Sequence, residues 1–232
     1  LTLAKKIDRK SADISVLEGD IAFARKDAGT ACQMYEQAIY FNPKSEQAYL
    51  KLADIYKGAN PQQAIEKLEQ LKAVDPSSVQ ADKKLAEVYY MNNRFDKAAE
   101  AYARFIDTPE ATENDLVKYA FALFLNHDFE KSLEVANMGL KKNARHAAFN
   151  RLAMYNYTDL KRFDEAIKAA DAFFTESDKA DYSYLDYMYY GHLLEALKKY
   201  DEAVGQYEKA IQLDPTKTDL YKNISSAYEQ KN

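Results

Sequence analysis

The sequence predicts an all-α protein built from stacked antiparallel helix pairs, and three observations carry that prediction. Only 6 Gly and 5 Pro occur in 232 residues, whereas all-β folds need turn signals roughly every 8–12 positions. A cluster of aromatic, acidic, charged and small residues returns at a nearly constant interval, the signature of a repeat array. Within each interval the apolar residues fall at i, i+3, i+4 and i+7, which lines one face of a helix.

The repeating cluster reads Phe95-Asp96-Lys97-Ala98, Phe129-Glu130-Lys131-Ser132, Phe163-Asp164-Glu165-Ala166 and Tyr200-Asp201-Glu202-Ala203, at spacings of 34, 34 and 37. Ala64 and Ala31 extend the small-residue column upstream. Four residues on come Tyr35, Leu68, Tyr102, Ala136, Ala170 and Tyr207, and three further lie Ala38, Leu71, Phe105, Gly139, Phe173 and Ala210. A second small column precedes the cluster: Gly19, Ala53, Ala86, Ala120, Met154, Gly191 and Ser225.

In chain order, residues 1–11 read as the tail of a preceding second helix, with Leu1 and Ala4 on its apolar side. The first pair, 12–45, ends at Pro43, since proline cannot continue a helix and forces the residue before it extended. The second, 46–78, carries Tyr49, Ala53 and Tyr56, is one residue short at Gly58–Pro61, and ends near Pro76. The third, 79–112, has Ala86 and Tyr89, with Pro109 one residue early. The fourth, 113–146, shows the pattern most plainly: Leu116, Tyr119, Ala120 and Leu123, a turn at Asn126–Asp128, then a helix from Phe129. Glu130 stands in its first turn, where the helix dipole favours an anion. The fifth, 147–180, places Met154 in the small column, which predicts a spread or shifted pair. Three extra residues near Lys179–Ser183 read as a longer loop in preference to a functional insertion. The sixth, 184–217, ends near Pro215, and 218–232 is a first helix without a partner, a seventh first helix or a cap. The upstream fragment favours a chain cut from a longer array.

This pattern resembles the tetratricopeptide repeat family over essentially the whole chain. The small residues of both columns and the aromatic column of Tyr56, Tyr89, Tyr157 and Tyr228 carry the resemblance. The family's frequent Trp is replaced by Tyr49, Tyr187 and Tyr221. The resemblance implies a right-handed α-solenoid and a protein-interaction scaffold whose concave surface is lined by first helices.

Chemistry finds little footing in the sequence. Net charge is −5 with Lys and Arg scattered, so neither nucleic acid nor an anionic membrane surface is an expected partner. The longest apolar run, Tyr119–Leu125, is far too short to span a membrane. No signal peptide is visible, and Leu1 in place of Met points to a trimmed chain. A soluble protein is expected, with the compartment open between cytoplasm and a periplasm reached by a removed leader. Cys32 reads as a packed helix residue, and His127, His146 and His192 show no metal-binding spacing. No catalytic residue, cofactor or metal is expected, and oligomeric state and partner identity stay open.

The expected function is non-catalytic binding of a peptide or helix from a partner protein. The alternatives are an accessory repeat region of a larger enzyme or transport assembly and, behind it, an RNA-binding helical repeat. On the stripe beside the core the early repeats are polar, with Asp54, Lys57, Lys83 and Glu87. The later ones offer Val117, Phe121, Phe124, Arg151, Tyr155, Leu185, Met188, Tyr189 and His192. A helix apolar on two faces is either buried twice or offers a binding surface. Phe121, Phe124, Tyr155 and Met188 are expected to form the apolar floor for the partner. The carboxylate clamp that one subclass of the family uses on chaperone tails is not matched: its positions hold Val16, Asp20, Lys51, Gln80 and Lys84.

Overall fold

The computed structural model describes residues 10–178 and 181–231, and among these it contains helices and no strand. The expected leading fragment falls almost wholly on residues 1–9, outside the described ones, as do 179 and 180 of the extra segment. The chain divides into two compact bodies, Leu1–Ala111 and Thr112–Asn232. The first holds three pairs: α1 (Ala12–Ala24) with α2 (Ala28–Phe41), α3 (Glu46–Ala59) with α4 (Pro61–Val74), and α5 (Val79–Met91) with α6 (Phe95–Phe105). The second holds α7 (Glu113–Leu125) with α8 (Phe129–Lys142), α9 (Ala147–Asp159) with α10 (Phe163–Asp171), α11 (Tyr184–Ala196) with α12 (Tyr200–Leu213), and then α13 (Leu220–Lys231).

Short polar residues start most of the helices, while Arg94, His146, Arg162 and Lys199 stand before α6, α9, α10 and α12 without a side-chain cap. Side-chain oxygens of Ser11, Asp27, Asn60, Ser78 and Asp128 accept from the backbone N–H three residues on. Thr112 with Asp115 and Ser183 with Asp186 form reciprocal capping boxes. Within five of the pairs, the first helix ends in a left-handed residue: Lys26, Asn93, His127, Lys161 or Lys198, all with φ near +60°. The next N–H reaches back to the helix, as in Asp128 N to Leu123 O at 2.9 Å and Arg162 N to Tyr157 O at 2.8 Å. The second pair dispenses with this residue, because Asn60 both ends α3 and caps α4, with Pro61 at the first helical position. That is where its missing residue went.

The cores follow from size matching across each pair. A Cβ on Gly19 would run into the Tyr35 ring, and one on Gly191 into the Tyr207 ring. The fifth pair reverses the sizes: Met154 and Ala170 are both fully buried in one core with Ala153 and Ala166. The large residue has moved to the first helix and the small one to the second.

After α10 the chain makes a π-helical turn, Ala172–Glu176. It buries Phe173 and places the Phe174 ring between Tyr182, at 5.3 Å, and Tyr190, at 5.1 Å, both nearly parallel to it. The expected plain loop is therefore preceded by a packed turn. On α13, Leu220 and Ala227 are buried, while Tyr221 and Tyr228 are 58% and 50% exposed.

Candidate functional site

In the first body the stripe beside the core is a set of closed ion pairs. Asp20 accepts from Tyr35 and pairs with Lys51, both at 2.7 Å. Asp54, Lys57, Glu87 and Lys84 form a four-membered ring of contacts at 3.1, 3.0, 3.8 and 2.5 Å. A cleft of about 330 Å³ lies beside them, lined by Asp20, Phe23, Tyr35, Lys51, Asp54 and Ile55. Each charge here already faces its opposite, and such partly exposed pairs contribute little beyond about 0–1 kcal/mol each.

The second body puts rings where the first has charges. Asp20 pairs with Lys51 and Asp54 with Lys84; the corresponding two columns hold Tyr155 and Tyr189, stacked at 4.1 Å and 22°. Phe124 joins them, 5.5 Å from Tyr155 and 6.1 Å from Tyr189. Phe129 flanks Phe124 at 5.7 Å, and His192 meets Tyr189 at 6.3 Å. Offset and edge contacts of this kind contribute about 0.5–1.5 kcal/mol each beyond burial. Phe124, Tyr189 and His192 stay half-buried, but Tyr155 is only 2% exposed. Its hydroxyl donates to Asp186 at 2.6 Å, and burial with that carboxylate raises its pKa far above the ordinary tyrosine value. Tyr155 thus supports the rings from behind.

Arg151 is likewise committed inside the protein. Its Nε and Nη2 donate to the two oxygens of Asp186 at 2.7 and 3.1 Å, and Nη2 also donates to the Asp181 carbonyl at 2.6 Å. The guanidinium lies 5.0 Å from the Phe173 ring centre. Asp186, wholly buried, also accepts from the backbone and hydroxyl of Ser183. Five donors on one buried carboxylate fix where α11 starts.

The remaining expected residues spread along the same helices. Val117 and Phe121 are half-buried on α7, Leu185 is exposed at the start of α11, and Met188 packs into the core of the last pair. Asp159, not singled out in the sequence, stands beside the rings and accepts from the Tyr189 hydroxyl at 3.0 Å. The signal for it was present: an acid in a column that is small or apolar in the other five paired first helices.

His192 ties this face to α13, with its Nε2 3.0 Å from Nδ2 of Asn223. A neutral imidazole can accept that N–H; a protonated one cannot. Burial pushes its pKa below the ordinary 6.5, with Glu195 and Asp159 pulling the other way. The unfolded chain therefore binds the proton first, and this histidine's share of stability falls as pH drops below about 6.5. Urea unfolding near pH 5.5 and 7.5 should show wild type losing more stability on acidification than His192→Gln. Equal losses would place the pH dependence elsewhere.

Models of the tetratricopeptide repeat match residues 50–114 and 191–232. The chain belongs to the tetratricopeptide repeat family. Solved repeat structures with the same fold include PilF of Pseudomonas aeruginosa, 15% identical, covering 93% of this chain and 96% of that one with a TM-score of 0.62. YrrB, a repeat protein described as having an unusual peptide-binding site, is 16% identical over 83% of this chain and 97% of its own, with a TM-score of 0.65. PilW, a type IV pilus biogenesis factor, is 14% identical over 92% and 98%, with a TM-score of 0.61. No curated protein matches the chain by sequence. Tetratricopeptide repeats are protein-interaction scaffolds. No helix among the described residues is long and apolar enough to cross a membrane.

Proposed function

We propose that this repeat protein is a non-catalytic scaffold that holds a peptide or helix of a partner protein on the first-helix face of its second body. The observation that carries the reading is the exchange of ion pairs for rings: columns closed by Asp20–Lys51 and Asp54–Lys84 in one body hold a Tyr155–Tyr189 stack in the other. Rings present apolar surface without needing a partner charge, and half-buried Phe121, Phe124, Met188, Tyr189 and His192 with exposed Leu185 give an amphipathic ledge. Val117 extends it along α7, while Tyr155 and Arg151 act behind it as supports. YrrB, which shares the fold, offers a precedent for peptide binding on such a scaffold. Catalysis has no part in the reading, because the histidines are engaged separately: His127 with Phe129, His146 with Phe149 and His192 with Asn223.

Affinity capture with the purified chain, followed by titration of the captured partner, tests this. Phe121→Ala and Phe124→Ala should each weaken binding by about 1–3 kcal/mol, as central aromatic contacts do. Unchanged affinity in variants with an intact helical circular dichroism signal would sink the proposal.

A further inference from the structure

Asp159 is out of place in its repeat. The same position of the other first helices holds Ala24, Gly58, Met91, Leu125, Ala196 and, on α13, Gln230, so no packing role common to the repeats calls for an acid. It is the last residue of α9, at the negative end of the helix dipole, where a cation is favoured and an anion is not. The residue is exposed, and partial desolvation beside the rings raises its pKa above the ordinary carboxylate value, offset in part by the Tyr189 hydroxyl and by His192 and His127. Acids on the first-helix face of the first body each meet a lysine: Asp20 with Lys51, Asp54 with Lys84, Glu87 with Lys57. Asp159 has no such ion pair among the described residues, and nearby Arg162 is turned to Glu165 and the Tyr157 ring. Beside it stands the half-buried Tyr189, whose ring meets that of Phe124 at 6.1 Å.

An exposed carboxylate at a helix C-terminus, bonded to the Tyr189 hydroxyl and without an ion pair among the described residues, is open to a positive charge. We infer that Asp159, Tyr189 and Phe124 form a subsite for a lysine or arginine side chain of the protein partner. The charge sits on the Asp159 carboxylate, and the aliphatic stem or guanidinium plane lies against the two rings, which attract cations through their quadrupoles. The subsite rests on the interaction reading above and adds to it a requirement on the partner: a basic residue beside its apolar contacts.

The test uses the whole chain and two small probes, Nα-acetyl-arginine amide and Nα-acetyl-norleucine amide, followed by NMR of the Tyr189 and His192 ring signals. The arginine probe should give saturable shifts, and Asp159→Asn should weaken them about tenfold, the loss of one charge-assisted contact over an aromatic face. Asn keeps an acceptor for the Tyr189 hydroxyl, and the variant should melt at or above the wild-type temperature, since an anion at a helix C-terminus is disfavoured. Absent saturation, equal shifts with norleucine, or undiminished shifts in Asp159→Asn each overturn the subsite. The two readings fail separately. If Phe121→Ala and Phe124→Ala abolish partner capture while Asp159→Asn leaves it unchanged, the ledge stands and the basic anchor falls.

Discussion

Arg151→Ala is expected to cost about 3–5 kcal/mol of unfolding free energy, the range for removing one partner of a buried ion pair. The magnitude comes from what is left behind. Asp186 is wholly buried and receives two of its five hydrogen bonds from Arg151. Alanine leaves that carboxylate to the Tyr155 hydroxyl and Ser183 alone. The same change frees the Asp181 carbonyl and uncovers the Phe173 ring, so the segment entering α11 should loosen with it. Urea titration monitored by circular dichroism measures the loss. Adding Asp186→Ala should cost much less than it does alone, because the stranded charge is then gone, and that coupling separates the ion pair from simple loss of packing. A loss below about 1 kcal/mol in Arg151→Ala, as for an exposed pair, would show that water reaches Asp186.

Met154→Ala should be comparably severe, at about 2–5 kcal/mol, since truncating a fully buried methionine leaves a cavity. In every other pair this column is already Gly or Ala, so the consensus residue is the damaging one here. The cause is the small partner, Ala170, which shares the core and cannot fill the space. Ala170→Leu added to Met154→Ala should recover part of the loss in differential scanning calorimetry, by restoring the arrangement of the second pair, where Ala53 faces a column held by Leu68. Failure of the double variant to exceed Met154→Ala would mean that the two side chains do not share one space. In the opposite sense, Gly191→Ala drives a methyl group into the Tyr207 ring.

The size of Met154 alone leaves out what stands opposite it in the fifth pair. Periodicity shows which residues face each other's helix, but compensation needs both columns read as pairs, and Ala170 is small where Tyr35, Tyr102 and Tyr207 are large. Arg151 misled for a related reason. Its place on the stripe was legible, yet its partner Asp186 lies thirty-five residues on, in a different repeat. Tyr155 was read from the same stripe and turned out to be 2% exposed, because a neighbouring first helix covers it with Tyr189.

What the amino-acid sequence determined by itself was everything local and periodic. Helix type follows from spacing within a few residues, helix ends from Ser, Asp, Asn and Thr that satisfy the first backbone N–H groups, and the pairing from a repeat interval that returns the same columns. What only the tertiary structure decided was which stripe residues are spent on the protein itself. The exchange of ion pairs for stacked tyrosines, the three donors that Arg151 and Tyr155 bring to Asp186, and the Tyr189 hydroxyl on Asp159 all depend on contacts thirty to thirty-five residues apart. One helix sequence carries its own period, but not the side chain that the next repeat places against it.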